Sequence, residues 1–167
     1  MSRSSHEIAE LTLGEIDRVE PLFKQLVDFH REVIGGAWPV RNSEAAWEHR
    51  RGQYREWLEA GSARMLAAVR AGEEEAPPVG YAVLAIKPSM ASWDVSERVG
   101  VLETLAVSEE ARGQGVGSEL MAACRELLRE DGITHWAVAV VQANADATRL
   151  YEREGFRPFY RQLLAEV

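Results

Sequence analysis

An apolar run over residues 101–107 leads into Arg112-Gly113-Gln114-Gly115-Val116-Gly117, and an apolar-periodic helix begins near Gly115. No other segment constrains the fold as tightly. A buried strand, a glycine turn and a helix in that order make a βα unit, and such units belong to mixed α/β architectures. The glycines let the backbone approach a ligand with no side chain in the way. The helix start adds N–H groups without intrahelical acceptors and the positive end of a dipole. The turn is therefore expected to hold an anion, through Arg112 and the backbone of Gly113, Gln114, Gly115, Val116, Gly117 and Ser118.

Two familiar phosphate motifs do not fit the spacing. A G-x-G-x-x-G fingerprint starting at Gly113 needs glycine where the chain has Ser118. A Gly-Lys-Ser/Thr loop needs a nearby lysine, and the only lysines are Lys24 and Lys87. What matches is R/Q-x-x-G-x-G/A, with Arg112, Gly115 and Gly117. A second block, Asn144, Ala147 and Leu150-Tyr151-Glu152-Arg153-Glu154-Gly155-Phe156, follows the next apolar strand. With Leu102-Glu103-Thr104-Leu105-Ala106-Val107, these segments resemble the GNAT superfamily of N-acetyltransferases, whose co-substrate is acetyl-coenzyme A. The resemblance is close over residues 98–160 and extends to the N-terminal part only through the pattern of elements.

That resemblance implies roles for particular residues. The turn from Arg112 to Gly117 corresponds to the pyrophosphate-binding motif. Tyr151 corresponds to a tyrosine that points its hydroxyl at the cofactor sulfur and acts as general acid. Its other reading is a ring packed in the core with the hydroxyl at the surface. Family members often carry an acidic base on the central strand, which makes Glu103 the candidate here, and strand alternation places it on the face of Leu105 and Val107. A plain structural salt bridge is the alternative for Glu103. Leu105 and Val107 are implied through their backbones, which pair with the pantetheine amides while one N–H polarises the thioester carbonyl. Asn144 is implied as a pantetheine or diphosphate contact, and its position also suits a helix N-cap.

Other residues read as structural. Cys124 lies on the apolar face of its helix and is expected to be a buried small hydrophobe. Trp47, Tyr54, Trp57 and Leu58 share a helical face and are expected to pack. Trp38-Pro39 falls between the first two helices, where it either contributes to an acceptor site or closes the fold. His30, His49 and His135 lack ligand spacing, and no metal is expected.

The length of 167 residues and 46% hydrophobic content suit one domain over residues 1–167. There is no apolar run long enough for a membrane span, residues 1–7 lack the apolar stretch of a signal peptide, and the one cysteine allows no internal disulfide. A cytoplasmic protein with no membrane partner is expected. The net charge of −8 argues against nucleic acid and suits a cationic acceptor.

Along the chain we expect a strand over 6–11, a helix from 13 to the Gly35-Gly36 pair, and a second helix from Asn42-Ser43-Glu44 to about Ala60. Strands over 64–70 and 79–87 follow, joined by the polar turn 72–78, and then the central strand over 98–107. The glycine-led helix stops at Asp131-Gly132. A strand over 133–141 buried on both faces, a helix over 144–154 and a last strand over 159–165 complete a mixed α/β fold of the acyl-coenzyme A N-acyltransferase type, a mixed central sheet flanked by helices. The function expected is transfer of the acetyl group of acetyl-coenzyme A to a primary amine by direct attack. The acceptor is a small molecule or a peptide. Two alternatives share the motifs: a catalytically silent acyl-coenzyme A sensor, and an enzyme acting on protein N-termini or lysines. Homodimerisation is left open.

Overall fold

The computed structural model describes residues 6–73 and 75–167. Residues 1–5, part of the stretch read for a leader, and Glu74 of the polar turn lie outside the described residues. Among the described residues five strands form one sheet in chain order: β1 (His6–Glu10), β2 (Ala63–Arg70), β3 (Gly80–Pro88), β4 (Arg98–Val107) and β5 (Trp136–Val138). The first four pair antiparallel, and β5 runs parallel to β4. Helices α1 (Glu20–Ile34) and α2 (Ser43–Glu59) cover one face, and α3 (Val116–Glu130) covers the other. Helix α4 (Ala145–Arg153) follows β5. None of the described helices is long and apolar enough to cross a membrane.

The first helix departs from its expected start. Residues Leu13–Val19 form a 3-10 helix, and the α-helix begins only at Glu20. Pro21 explains the break, because it has no N–H to donate to the preceding turn yet suits the first turn of a new helix. Asn42 caps α2 through its side chain, which accepts from the Ala45 N–H at 2.8 Å. Trp47 and Tyr54 then turn inward, 4% and 0% exposed, with Trp57 and Leu58 packed beside them. On the opposite face Cys124 is fully buried among Leu120, Met121 and Leu128, and burial pushes its thiol up to about 12. It is an apolar filler rather than a nucleophile.

The C-terminal third forms less sheet than its sequence suggests. The apolar run 133–141 becomes a strand only at Trp136–Val138, all three residues being half-buried, and no strand forms over 159–165. Phe159, Tyr160, Leu163 and Leu164 are exposed. A strand is stabilised by its ladder of partners, and a three-residue β5 offers little for a following segment to join. With no strand beyond it, the outer side of β5 stays open and the expected burial on both faces does not occur.

Two glycines let α3 settle on the sheet. A Cβ on Gly80 would lie 2.9 Å from Val116 Cγ1 and 3.1 Å from the Ala106 carbonyl oxygen, and one on Gly100 would meet Leu128 Cδ2 at 2.6 Å. Because Gly80 lies under Val116 at the start of α3, it sets the height of the glycine turn above the sheet. Gly80→Ala is expected to destabilise the fold by about 1–3 kcal/mol, the usual cost of overpacking. A lower urea midpoint with an unchanged slope is the expected reading.

Candidate active site

The site begins with an irregularity in β4. Its pairing with β3 runs from Gly80↔Val107 to Val83↔Thr104, then resumes at Leu84↔Leu102, so that Glu103 is an extra residue in the register. A one-residue bulge of this kind changes which way the chain faces. Before it, Leu102 packs on the α3 face. After it, Leu105 and Val107 pack on that face, while Ala106 joins the core beneath α1 and α2.

The bulge also corrects the placement of Glu103. Simple alternation puts its side chain with Leu105 and Val107, but it lies on the α2 side, hydrogen-bonded to the Lys87 ammonium. Lys87 in turn sits 5.6 Å from the centroid of the Trp57 ring on α2. The next residue, Thr104, faces the same helix. Its hydroxyl bonds the Tyr54 hydroxyl at 2.6 Å, and Tyr54 meets the Tyr81 hydroxyl at 3.2 Å. All three residues are buried, and desolvation raises both phenols above their usual range. These bonds satisfy hydroxyls that would otherwise be costly to bury, and they tie the bulge to α2.

The main-chain groups turn as well. Gly100 donates its N–H to His135 O beside β5 at 3.0 Å, whereas Ser108 donates to Val79 O on the β3 side at 2.8 Å. Counting back by alternation from Ser108 directs the N–H groups of Leu105 and Val107 away from β3, toward the side of β5. Yet β5 pairs only with Gly100, Val101 and Leu102. The stretch 103–107 therefore presents an open strand edge on that side, with two N–H groups aimed into it.

At the end of this edge stands the glycine turn. Gly113 and Gly115 have φ of 75° and 87°, in the left-handed region that favours glycine, and a Cβ on either would meet no atom within 4 Å. The space over the turn is open. Helix α3 starts there with Gly115 as its N-cap, so the N–H groups of Val116, Gly117 and Ser118 have no acceptor within the helix. Arg112 leans back along the turn, its Nε 3.4 Å from Val107 O and its guanidinium 5.4 Å from the Phe29 ring centroid. Gln114 is tied down through its side-chain amide to Glu110 O at 2.7 Å. A groove of about 540 Å³ beside the turn is lined by Asp28, Glu32, Glu109 and Glu110 as well as Arg18 and Arg70.

Gly117 does a different job. A Cβ there would lie 3.3 Å from Leu150 Cδ2 and 3.9 Å from Val107 Cγ2. The end of β4, the start of α3 and the middle of α4 thus converge on one glycine. Tyr151, next to Leu150, is brought into the same neighbourhood. Its ring packs edge-on against Phe156 at 5.8 Å, its carbonyl accepts the Phe156 N–H at 3.0 Å, and burial pushes its phenol up to about 12. Arg125 of α3 holds the C-terminal end of α4 through Glu154 O at 3.1 Å. Asn144 caps α4, accepting from the Ala147 N–H at 3.1 Å, and is 8% exposed. Glu103 and Tyr151 thus approach β4 from opposite faces of the sheet. Trp38, between α1 and α2, is 39% exposed.

Sequence reasoning did not single out Lys87 or the bulge that Thr104 and Tyr54 secure. Lys87 has a signal in principle, since β3 and β4 are antiparallel neighbours and its long side chain reaches along one face. The bulge has none, because no glycine or proline marks it.

The family model of the acetyltransferase (GNAT) family matches residues 25–156. No curated protein matches the chain in sequence. Among solved structures, a GCN5-related N-acetyltransferase from Ralstonia eutropha JMP134 is similar at 20% identity, covering 96% of this chain and 98% of its own, with a TM-score of 0.74. The aminoglycoside N-acetyltransferase AAC(6')-Iy in complex with CoA shares 20% identity over 99% of this chain and 97% of its own, also with a TM-score of 0.74. A transcriptional regulator from Bacillus halodurans C-125 shares 21% identity over 97% and 99%, with a TM-score of 0.73. These likenesses are likenesses of fold, whereas the family match spans most of the sequence: the chain belongs to the acetyltransferase (GNAT) family.

Proposed function

We propose that the chain is an N-acetyltransferase that transfers the acetyl group of acetyl-coenzyme A to a primary amine by direct attack within one ternary complex. One observation carries the reading: an open strand edge with two inward-aimed N–H groups ends at a Cβ-free turn on a helix N-terminus. That combination suits a long ligand with amides at one end and a diphosphate at the other. The occurrence of CoA in the complex of AAC(6')-Iy supports the same ligand.

Acetyl-coenzyme A supplies an activated acetyl group as its thioester. Arg112 and the backbone of Gly113 through Ser118 hold the diphosphate, and Gly117 keeps α4 close enough for Tyr151 to reach the sulfur. The N–H groups of Leu105 and Val107 bind the amides of the pantetheine arm, and one of them polarises the thioester carbonyl. Asn144 steadies that arm while capping α4. On the other face Glu103 receives the proton that the acceptor ammonium must lose, since alkyl amines titrate near 10.4 and arrive mostly charged. The acceptor competes with Lys87 for that carboxylate. Tyr151 keeps its proton throughout the physiological range. A phenol at about 12 is a much weaker acid than an ordinary thiol at about 8.5. Tyr151 therefore stabilises the departing thiolate by donating a hydrogen bond rather than by giving up its proton outright.

The turn is tested by Gly115→Val, because a side chain at this φ is strained and would fill the open space over the turn. Calorimetry is expected to show acetyl-coenzyme A binding lost, with the unfolding midpoint lowered only modestly. Wild-type affinity would refute the assignment. Gly117→Val is the poorer test, since it also disturbs the contact with Leu150.

Tyr151→Phe removes one hydrogen-bond donor to the developing thiolate and is expected to retain cofactor binding and lower turnover on the order of 10²-fold. The same variant has a pH signature. With the folded phenol at about 12 against about 10 in the unfolded chain, the protonated ring contributes stability that is complete below the lower value and lost as pH rises through the upper one. Replacing it makes the alkaline loss of stability shallower, as urea titrations at increasing pH would show.

For Glu103→Gln, turnover is expected to fall near neutrality and recover at higher pH as free amine accumulates. A variant that tracks the wild type at every pH removes Glu103 from proton transfer. Tight acetyl-coenzyme A binding without turnover across a broad panel of amines and peptides would favour a sensor over an enzyme.

A further inference from the structure

The carboxylate assigned to receive the acceptor's proton already holds an ammonium. Lys87 is one of two lysines in the chain, and its Nζ is hydrogen-bonded to Glu103 Oε1 at the β4 bulge. Its side chain is 46% exposed, while that of Glu103 is 15% exposed. The pair is therefore open on the lysine side, where the Trp57 ring centroid lies 5.6 Å from Nζ, with the Arg50 guanidinium 5.7 Å from the same centroid. Carboxylate and aromatic ring together form what a primary ammonium needs for binding and deprotonation, and Lys87 is itself a primary ammonium on a flexible four-carbon stem.

We propose that Lys87 is a self-acetylation site, modified within the same molecule by the acetyl-coenzyme A bound along β4. The inference rests on the reading of the site as an acetyltransferase and adds a substrate carried by the chain itself. In the balanced step, the Lys87 ammonium passes one proton to the Glu103 carboxylate and on to solvent. The freed Nζ lone pair forms a C–N bond to the thioester carbonyl carbon, and the C–S bond breaks. A second ammonium proton goes with the departing sulfur, and the third stays on the amide nitrogen. The products are N-acetyl-lysine, coenzyme A as free thiol, and one released proton. The neutral amide no longer pairs with Glu103, which leaves the carboxylate to an external acceptor.

Lys24 is the internal control. It too is an ion-paired lysine, bonded to Glu20 at 2.8 Å and Glu44 at 3.3 Å, but on α1 and α2, away from the bulge. The experiment incubates the full chain with acetyl-coenzyme A and maps acetyl groups by peptide mass spectrometry. A parallel sample treated with trace acetic anhydride, without cofactor, fixes the intrinsic Lys87-to-Lys24 reactivity ratio. With acetyl-coenzyme A the ratio is expected to exceed that baseline on the order of 10²-fold, and the rate constant is expected not to change when the protein is diluted. Glu103→Gln, measured against its own anhydride baseline, is expected to bring the ratio back to that baseline while calorimetry shows unchanged cofactor affinity.

A ratio equal to the anhydride baseline, or an apparent first-order rate constant that rises in proportion to protein concentration, overturns the proposal. Calorimetry and turnover on external amines are run on the same preparation. If both are intact and the ratio stays at baseline, self-acetylation fails and the acetyltransferase reading stands. If acetyl-coenzyme A does not bind, both fail.

Discussion

One extra residue in β4, opposite the step from Val83 to Leu84, decides how the rest of the site is aimed. Ahead of it alternate N–H groups of the strand, that of Gly100 among them, turn toward the β5 side. Beyond it the alternation is reversed, and the groups directed to that side belong to Leu105 and Val107, where β5 no longer runs alongside. A regular strand would have aimed the N–H groups of Thr104 and Ala106 that way and kept Leu105 facing away from α3. The bulge is not left to itself. The Thr104 hydroxyl is bonded to Tyr54, which is anchored in the aromatic core of α2 with Trp47 and Trp57. Packing beneath α1 and α2 is thereby coupled to main-chain geometry on the binding edge.

The electrostatics of the site are local rather than global. The chain carries a net charge of −8, and Glu109 and Glu110 stand just before the glycine turn. The backbone N–H groups at this helix start act over short range, where the overall field is screened, so the negative net charge does not count against the anion site proposed there. The same locality separates the two candidate chemical groups. Glu103 lies beside cations, Lys87 and the nearby Arg50, on the α2 face. Tyr151 is held among apolar neighbours on the α3 face, where burial keeps it protonated.

Glycine serves this fold in two distinct ways. Gly113 and Gly115 are required by backbone conformation and leave empty space above them, as a ligand seat needs. Gly80, Gly100 and Gly117 are required by close approach, and a side chain at any of them meets a neighbour within 3.3 Å. The motif treats Gly115 and Gly117 as equivalent, whereas the structure separates them: Gly117 holds α4, and with it Tyr151, against the end of β4.

Local patterning alone determined the element order through α4, the caps at Asn42 and Asn144, the burial of Cys124, and a helix opened by glycines, because each depends on residues a few positions apart. The glycine turn at the start of α3 was legible for the same reason, and the motif residues Arg112, Gly115, Gly117, Asn144 and Tyr151 were all readable before any fold was known. What lay beyond the sequence depended on partners distant along the chain. The face of Glu103 was misplaced because a bulge is set by cross-strand register, which alternation within one strand does not report. The ion pair of Glu103 with Lys87 became visible only when β3 and β4 were laid side by side. The last strand was expected from the apolar residues of 159–165, but a strand requires a neighbour with unspent hydrogen bonds, and β5 pairs over only three residues. Local chemistry named the groups, and tertiary structure decided which of them face one another, because facing is a property of register and packing rather than of residue order.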